Sequence, residues 1–357
     1  MFQYAFSPDN SKIAVISTYI KDVTFHLYDA YTFQEISVKK ITQLSANKSI
    51  DNFTIDNVGN LFYNYREANA LKIVKQFAGA EKDLVSSVRL KQAYDYGLLK
   101  FCHDVKNNQV YLYSVFYEKS KDAKAEGYFS GGFYICRMDS KTMSLVSEKY
   151  HGFNKEVLEK IKCGKPDGFI NSYSPNLTML DNSELLLEAY NSSGGSNSRG
   201  AGSGSYDMSQ KVFYVANEIV VAKLNSTLEL SWMNFVPRSI VYTNITNNTE
   251  STLEYSRLIN SNGVKYIFIE HPKFEQKKIN YASCTQCDVP GASAYPKSNV
   301  VEYSLDLNGK LDKRVLYFNE EDNWLIPQLY DINAGENKYM VRFRKKKNEN
   351  FAIINLK

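Results

Sequence analysis

One pattern recurs along the chain and restricts what it can fold into: a short apolar strand, a tight polar turn, and a second apolar strand. It appears as Phe6-Ser7-Pro8-Asp9-Asn10-Ser11-Lys12-Ile13-Ala14-Val15, then as Ile55-Asp56-Asn57-Val58-Gly59-Asn60-Leu61-Phe62. It returns at Asp104 to Tyr113, Leu180 to Leu187, Ile259 to Ile269 and Ile332 to Val341. Each turn carries Asp, Asn or Gly, which tolerate the backbone angles a tight hairpin demands. A second hairpin follows the first. It reads Phe25 to Asp29 then Gln34 to Val38, and recurs at Ala70 to Leu90, at Phe133 to Lys149 through Asp139-Ser140, at Ile219 to Asn234 through Asn225-Ser226, and at Val300 to Phe318 through Asp306-Leu307-Asn308-Gly309.

Two hairpins per repeat make a four-stranded antiparallel meander, the blade of a β-propeller. The expected fold is therefore all-β, a single propeller domain over residues 1–357 with six blades. Their expected bounds are roughly 1–45, 46–92, 93–165, 166–240, 241–320 and 321–357. The last blade is incomplete, because it ends on its third strand near Asn350 to Leu356. A β-sandwich or open solenoid is the structural alternative, and the regular pairing of long and short turns disfavours the sandwich. One helix is expected, at Asn154 to Cys163, where Val157, Leu158 and Ile161 share a face.

Composition agrees with strands. The chain has 27 Tyr and is 14% aromatic, and such side chains pack well on a pleated surface. The net charge of +4 is mild and forms no basic stripe, so no nucleic-acid partner is expected. The densest basic run, Arg342 to Lys347, falls between two strand patterns and reads as a solvated hairpin tip. No stretch has the apolar length of a transmembrane segment, and no signal peptide precedes the first strand. Because the strand pattern already runs at Phe2, Tyr4 and Phe6, an export leader is expected upstream of Met1.

In a meander the connections alternate ends. The short Asp/Asn/Gly turns join strands one to two and three to four. The insertions Phe116 to Gly132, Asn191 to Gln210 and His271 to Ser298 join strands two and three, so three successive blades are expected to extend loops over one face. Binding residues concentrate on loops held by a rigid scaffold, which makes that face the candidate for contact. The opposing reading is that long surface loops are merely tolerated, since length costs little. Asn191 to Gly204 has the Gly/Ser composition of a flexible linker and lacks the Gly-Lys-Ser/Thr ending of a phosphate loop.

The most chemical-looking motif is Cys284-Thr285-Gln286-Cys287. Cys284 and Cys287 are the candidate metal ligands, as half of a tetrahedral site that needs two more donors. A local disulfide or inert thiols, and redox chemistry, stay open beside that reading; no second Cys-x-x-C occurs, and nothing places His271 or Cys163 nearby. His26, His103, His151 and His271 are scattered, and neither a His-Glu-x-x-His nor a Gly-x-Ser-x-Gly is present. Carboxylates gathered from different blades could hydrolyse glycosides, with Glu188, Glu218 and Glu270 the first suspects. The Ser-x-Asp-x-Gly-x-Thr-Trp boxes of sialidase-type propellers are missing, and Asp306 to Gly309 reads as a hairpin turn, not a calcium loop. No catalytic residue is assigned and no cofactor is expected.

Phe6-Ser7-Pro8-Asp9-Asn10-Ser11-Lys12-Ile13-Ala14 resembles the opening of the WD40-like, TolB-type propeller repeat over one blade. Most of the chain resembles secreted propeller proteins of Bacteroidetes-type bacteria. The segments that carry this are Ile55 to Phe62, Glu184 to Tyr190 before the Gly/Ser loop, and Asn217 to Leu224 leading to Trp232 and Pro237-Arg238. The Gly-His and Trp-Asp signatures of WD40 proper are absent. The resemblance implies export to the periplasm or cell surface and supplies no catalytic residues.

The leading expectation is a non-catalytic binding or scaffold module of the cell envelope that holds a protein or glycan partner on its insertion-rich face. A structural subunit of an outer-membrane or secretion assembly, using the incomplete last blade as a strand-accepting edge, ranks second. A carbohydrate-active propeller enzyme ranks third.

Overall fold

The computed structural model describes residues 2–19, 22–41, 50, 52–67, 70–78, 83–119, 128–162, 173–180, 183–197, 211–238, 240–244, 255–260, 262–270, 299–317, 324–333, 338–345 and 348–355. Among these residues it is all-β apart from one short helix. The first sheet is β1 (Phe2–Phe6), β2 (Lys12–Tyr19), β3 (Asp22–Asp29) and β4 (Glu35–Lys40). The second is β5 (Phe53–Ile55), β6 (Leu61–Glu67), β7 (Ala70–Gln76) and β8 (Leu84–Arg89). A short β9 (Tyr94–Tyr96) precedes the third sheet, β10 (Lys100–Asp104), β11 (Gln109–Lys119), β12 (Tyr128–Asp139) and β13 (Leu145–Gly152). After α1 (Lys155–Lys162) comes the fourth, β14 (Tyr173–Met179), β15 (Leu185–Asn197), β16 (Lys211–Leu224) and β17 (Leu230–Val236), followed by β18 (Ile240–Asn244). The fifth is β19 (Ser256–Asn260), β20 (Gly263–Glu270), β21 (Asn299–Asp306) and β22 (Leu311–Tyr317). The sixth holds three strands, β23 (Trp324–Asn333), β24 (Lys338–Lys345) and β25 (Asn348–Asn355).

Apart from β9, which pairs β11, and β18, which pairs β16, the strands of every sheet pair in chain order, so six successive meanders build a β-propeller fold whose last blade carries three strands among the described residues. The helix sits where the apolar face at Val157 called for it, and the Val157 amide donates to the Asn154 side-chain oxygen at 2.8 Å. Tertiary contacts divide the chain into two compact units. One comprises Met1–Phe153, Pro175–Leu187 and Leu224–Glu229; the other comprises Asn154–Ser174, Glu188–Lys223 and Leu230–Lys357.

The strands follow from alternation and the turns from side-chain capping. In the turn after β3, one carboxylate oxygen of Asp29 accepts the amides of Tyr31 and Thr32 and the Thr32 hydroxyl, at 2.8–3.0 Å. Asp139 repeats this with Lys141 and Thr142, and Asn225 with Thr227 and Glu229. Asp306 accepts the amides of Asn308 and Lys310, so its oxygen serves the turn. The turns then close through a left-handed residue: Phe33, Met143, Leu228 and Gly309 all have φ between 56° and 80°.

In the first unit the sheets pack face to face. Ala14, Ile16, Phe25 and Leu27 of the first sheet interdigitate with Phe53, Ile55, Leu61 and Tyr63 of the second. Phe62, Leu71 and Ile73 on the second meet Leu112, Tyr134 and Cys136 on the third. Gly59 is required at its joint. A Cβ there would lie 2.5 Å from the Leu27 side chain, and its φ is +93°.

A cation recurs at these joints, one or two residues before the end of strand three. Lys75 donates to the carbonyl of Ser140 in the next sheet at 2.8 Å, and Arg137 to that of Ser226 at 2.7 Å. In the second unit Lys223 does the same to Leu307 at 3.4 Å. The acceptor is each time the residue after the capping Asp or Asn (Asp139, Asn225, Asp306). The second unit adds Trp232, whose indole donates to the same Leu307 carbonyl at 2.9 Å, and Asn234, which donates to Gly309 at 2.6 Å.

Candidate functional site

Cys284 and Cys287, with His271 and Cys163, lie outside the described residues. Of the other cysteines, Cys102 and Cys136 are free thiols. Burial pushes them up to about 11 and about 12, which keeps both protonated and poor nucleophiles at neutral pH. Among the described residues no group of three or more His, Cys, Asp and Glu is placed to hold a metal ion. His26 pairs with Glu35 at 3.2 Å, and the His151 ring meets the Leu228 carbonyl at 2.9 Å. His103 is buried edge-on to Phe62, and that burial pulls it down to about 4.

The three suspected acids are all buried: Glu188 at 0%, Glu218 at 4% and Glu270 at 5% exposure. Glu188 on β15 accepts the Tyr266 hydroxyl and an Arg257 guanidinium N–H. Glu270 at the end of β20 accepts the Tyr303 hydroxyl at 2.8 Å and pairs with Lys313 at 2.5 Å. Glu218 lies in the field of Arg238, a guanidinium only 1% exposed that stacks 4.9 Å over the Tyr255 ring. Burial draws Arg238 down to about 10, still protonated at neutral pH. Each acid therefore has a cation beside it, as buried carboxylates require. This arrangement braces the second unit and leaves the suspected acids matched to partners.

Within two of the expected insertions the described residues are strand. β11 and β12 stay paired from Gln109↔Asp139 to Lys119↔Tyr128, well into the Phe116 to Gly132 segment. The Gly/Ser run continues β15 through Asn197, a departure from the linker expectation, with β16 resuming at Lys211. Small side chains present no steric obstacle to a ladder, so β16 as a partner is enough to extend them. Residues 120–127, 198–210 and 271–298 are outside the described set. Each ribbon carries a fifth strand. β9 pairs β11 at Phe116↔Tyr96 through Glu118↔Tyr94, and β18 pairs β16 at Val212↔Asn244 through Ala216↔Ile240. The alternating Tyr94-Asp95-Tyr96 and the β-branched and aromatic run Ile240 to Thr243 were the available signals for these strands.

Where β9 joins the ribbon, aromatic side chains converge. Phe116 and Tyr134 form a buried wall, 3% and 0% exposed, behind half-buried Tyr94, Tyr96 and Tyr150. Tyr94 stacks on Phe116 with centroids 4.6 Å apart, and Tyr150 lies 4.9 Å from Tyr134. Their hydroxyls form a directed chain. The Lys91 amide donates to the Tyr96 oxygen at 3.0 Å, Tyr96 meets Tyr150 at 3.0 Å, and Tyr150 donates to the Glu148 carboxylate at 3.3 Å. Since Tyr150 spends its one proton on Glu148, Tyr96 is the donor between the two rings.

No family model matches the chain, and no curated protein sequence does. Solved structures it is similar to include hydrazine synthase of Kuenenia stuttgartiensis, at 9% identity over 95% of this chain and 75% of that one, with a TM-score of 0.43. The Dos1 propeller is similar at 8% identity over 98% and 90%, TM-score 0.36. The WD40 domain of Toxoplasma gondii coronin is similar at 8% over 98% and 80%, TM-score 0.30. The propeller assignment rests on the strand order of the chain itself.

Proposed function

We propose that this chain is a non-catalytic binding or scaffold module that offers the β11–β12 and β15–β16 ribbons to a protein or glycan partner in the cell envelope. The observation that carries this reading is the lengthening of the strand-two-to-three hairpin in two consecutive blades, each stiffened by an added strand. A long hairpin alone is marginal in water, whereas three strands hold their shape. Placement in the periplasm or at the cell surface belongs to the same proposal and rests on the resemblance to secreted propeller proteins. Among the described residues no helix is long and apolar enough to cross a membrane.

A second reading has one observation in its favour. Among the described residues β25 pairs with β24 alone, whereas the third strands of the other five sheets pair on both sides. A free strand edge is a template for another strand, as a subunit of a larger assembly would use.

The test is capture from envelope extract and on glycan arrays, comparing the parent with a form whose 118–129 and 192–210 segments are shortened. A partner held by the parent and lost by the shortened form supports the module. A partner held equally by both removes the ribbons from the reading and turns attention to the β25 edge.

A further inference from the structure

The Lys91 ammonium occupies the aromatic cluster of the third blade. Its Nζ lies 4.1 Å from the Tyr150 ring centroid and 5.5 Å from that of Tyr94. The rings do not lie flat. Tyr94 and Tyr150 are 5.6 Å apart and inclined at 47°, and Tyr96 stands at 65° to Tyr150. A flat sugar face needs a flat exposed ring, whereas rings inclined to one another enclose a compact cation. The Glu148 carboxylate at the end of the hydroxyl chain adds negative potential on the same side.

Lys91 is an exposed residue held in place by a turn, its carbonyl accepting the Tyr94 amide at 3.1 Å. Only its side chain must swing away for the cluster to open. Beside the rings the floor is kept bare. Gly132 faces Gly152 in the ladder as Tyr134 faces Tyr150, so both glycines share the face of Tyr150. A Cβ at Gly132 would lie 2.2 Å from the His151 carbonyl oxygen and 2.7 Å from the Phe116 ring, so glycine lets both the neighbouring strand and that ring approach. A Cβ at Gly152 would meet nothing within 4 Å, which leaves open space two residues from Tyr150.

We propose that Tyr94, Tyr96 and Tyr150 form a binding site for a small methylated ammonium ligand, with the Lys91 side chain as its resident competitor. A methylated ammonium is larger and more weakly hydrated than the lysine ammonium, and it fills the space that Gly152 leaves open. Displacing Lys91 returns that ammonium to water, so occupancy by ligand and by Lys91 exclude each other. The inference does not depend on the ribbons holding a partner, because it needs only the third blade and a small ion.

The experiment titrates tetramethylammonium into the full chain and its variants by calorimetry, with sodium at equal ionic strength as control. Weak saturable binding to the parent and about tenfold tighter binding to Lys91→Ala are expected, tenfold being what about 1.4 kcal/mol of released competition supplies. Adding Tyr150→Leu to Lys91→Ala abolishes the binding, and Tyr94→Leu, at the outer edge of the cluster, weakens it if the Tyr150 variant fails to fold. No binding to Lys91→Ala overturns the proposal. So does binding unchanged by either tyrosine substitution, or a heat of sodium addition equal to that of tetramethylammonium.

Discussion

Phe33 and Leu228 share a left-handed backbone, with φ of 56° and 65°, in equivalent turns. For a residue with a Cβ that conformation costs about 1–2 kcal/mol. Phe33 is 71% exposed and Leu228 0%. The same substitution should therefore act with opposite sign. Phe33→Gly relieves the strain and loses little contact, raising stability by up to about 1 kcal/mol once the greater freedom of the unfolded glycine is counted. Leu228→Gly relieves the same strain but empties a buried site, for a net loss of about 2–4 kcal/mol. Urea midpoints of the two variants check both signs. His103 supplies a pH-dependent contribution. Burial lowers it from 6.5 to about 4 against a raising effect of Asp56 and a lowering one of Lys75. Above pH 6.5 the ring is neutral folded and unfolded, so its contribution is fully present there. As pH falls toward 4 the unfolded chain takes up a proton that the folded chain refuses, and about 3 kcal/mol of stability is lost across that window. His103→Gln should flatten the melting temperature between pH 6.5 and 4, leaving the part due to His151; an unchanged slope would show that His103 is not buried as described.

At the scale of elements, one device joins blade to blade: a cation near the end of strand three bonded to a carbonyl in the next blade's turn. Arg137→Met removes the donor to Ser226 and should lower stability by about 1–2 kcal/mol, read by thermal melting. The turn of the fifth blade is held by Lys223, Trp232 and Asn234 together. A Cβ at Gly309 would lie 2.6 Å from the Trp232 ring, at a φ of +80°. Gly309→Ala should cost about 2–4 kcal/mol, and adding Trp232→Ala should not add its full single-variant loss, since both act on one contact. The turns were legible because Asp29, Asp139, Asn225 and Asp306 act on amides two to four residues away. The clamps were not. Lys75 and Ser140 are 65 residues apart, and an isolated lysine in a strand reads as a solvated residue.

Across the whole molecule, protection should be layered within each blade. Second and third strands such as β6, β7 and β12 are largely buried, while the fourth strands β4, β8 and β22 alternate exposed positions. Amide hydrogen exchange should be slowest in the former and fastest in the latter; equal protection through a blade would mean the meanders open as single blocks. Strand order was legible because each meander pairs neighbours in sequence, and period-two alternation with a turn residue at the right place states that locally. The candidate site was legible only in pieces. The sequence displayed Tyr94, Tyr96, Phe116, Tyr134 and Tyr150 but not their convergence, which depends on β9 adding to the lengthened β11. It displayed Glu188, Glu218 and Glu270 as acids, and their cations come from Arg257, Arg238 and Lys313, residues that no local pattern links to them. What the chain determined by itself is what backbone angles and alternation decide over a few residues: strands, turns and the number of meanders. What only tertiary structure decided is which polar side chains are buried and paired, because a buried charge is tolerated only where a residue distant in sequence, from the same blade or the next, is folded against it as its counterpart.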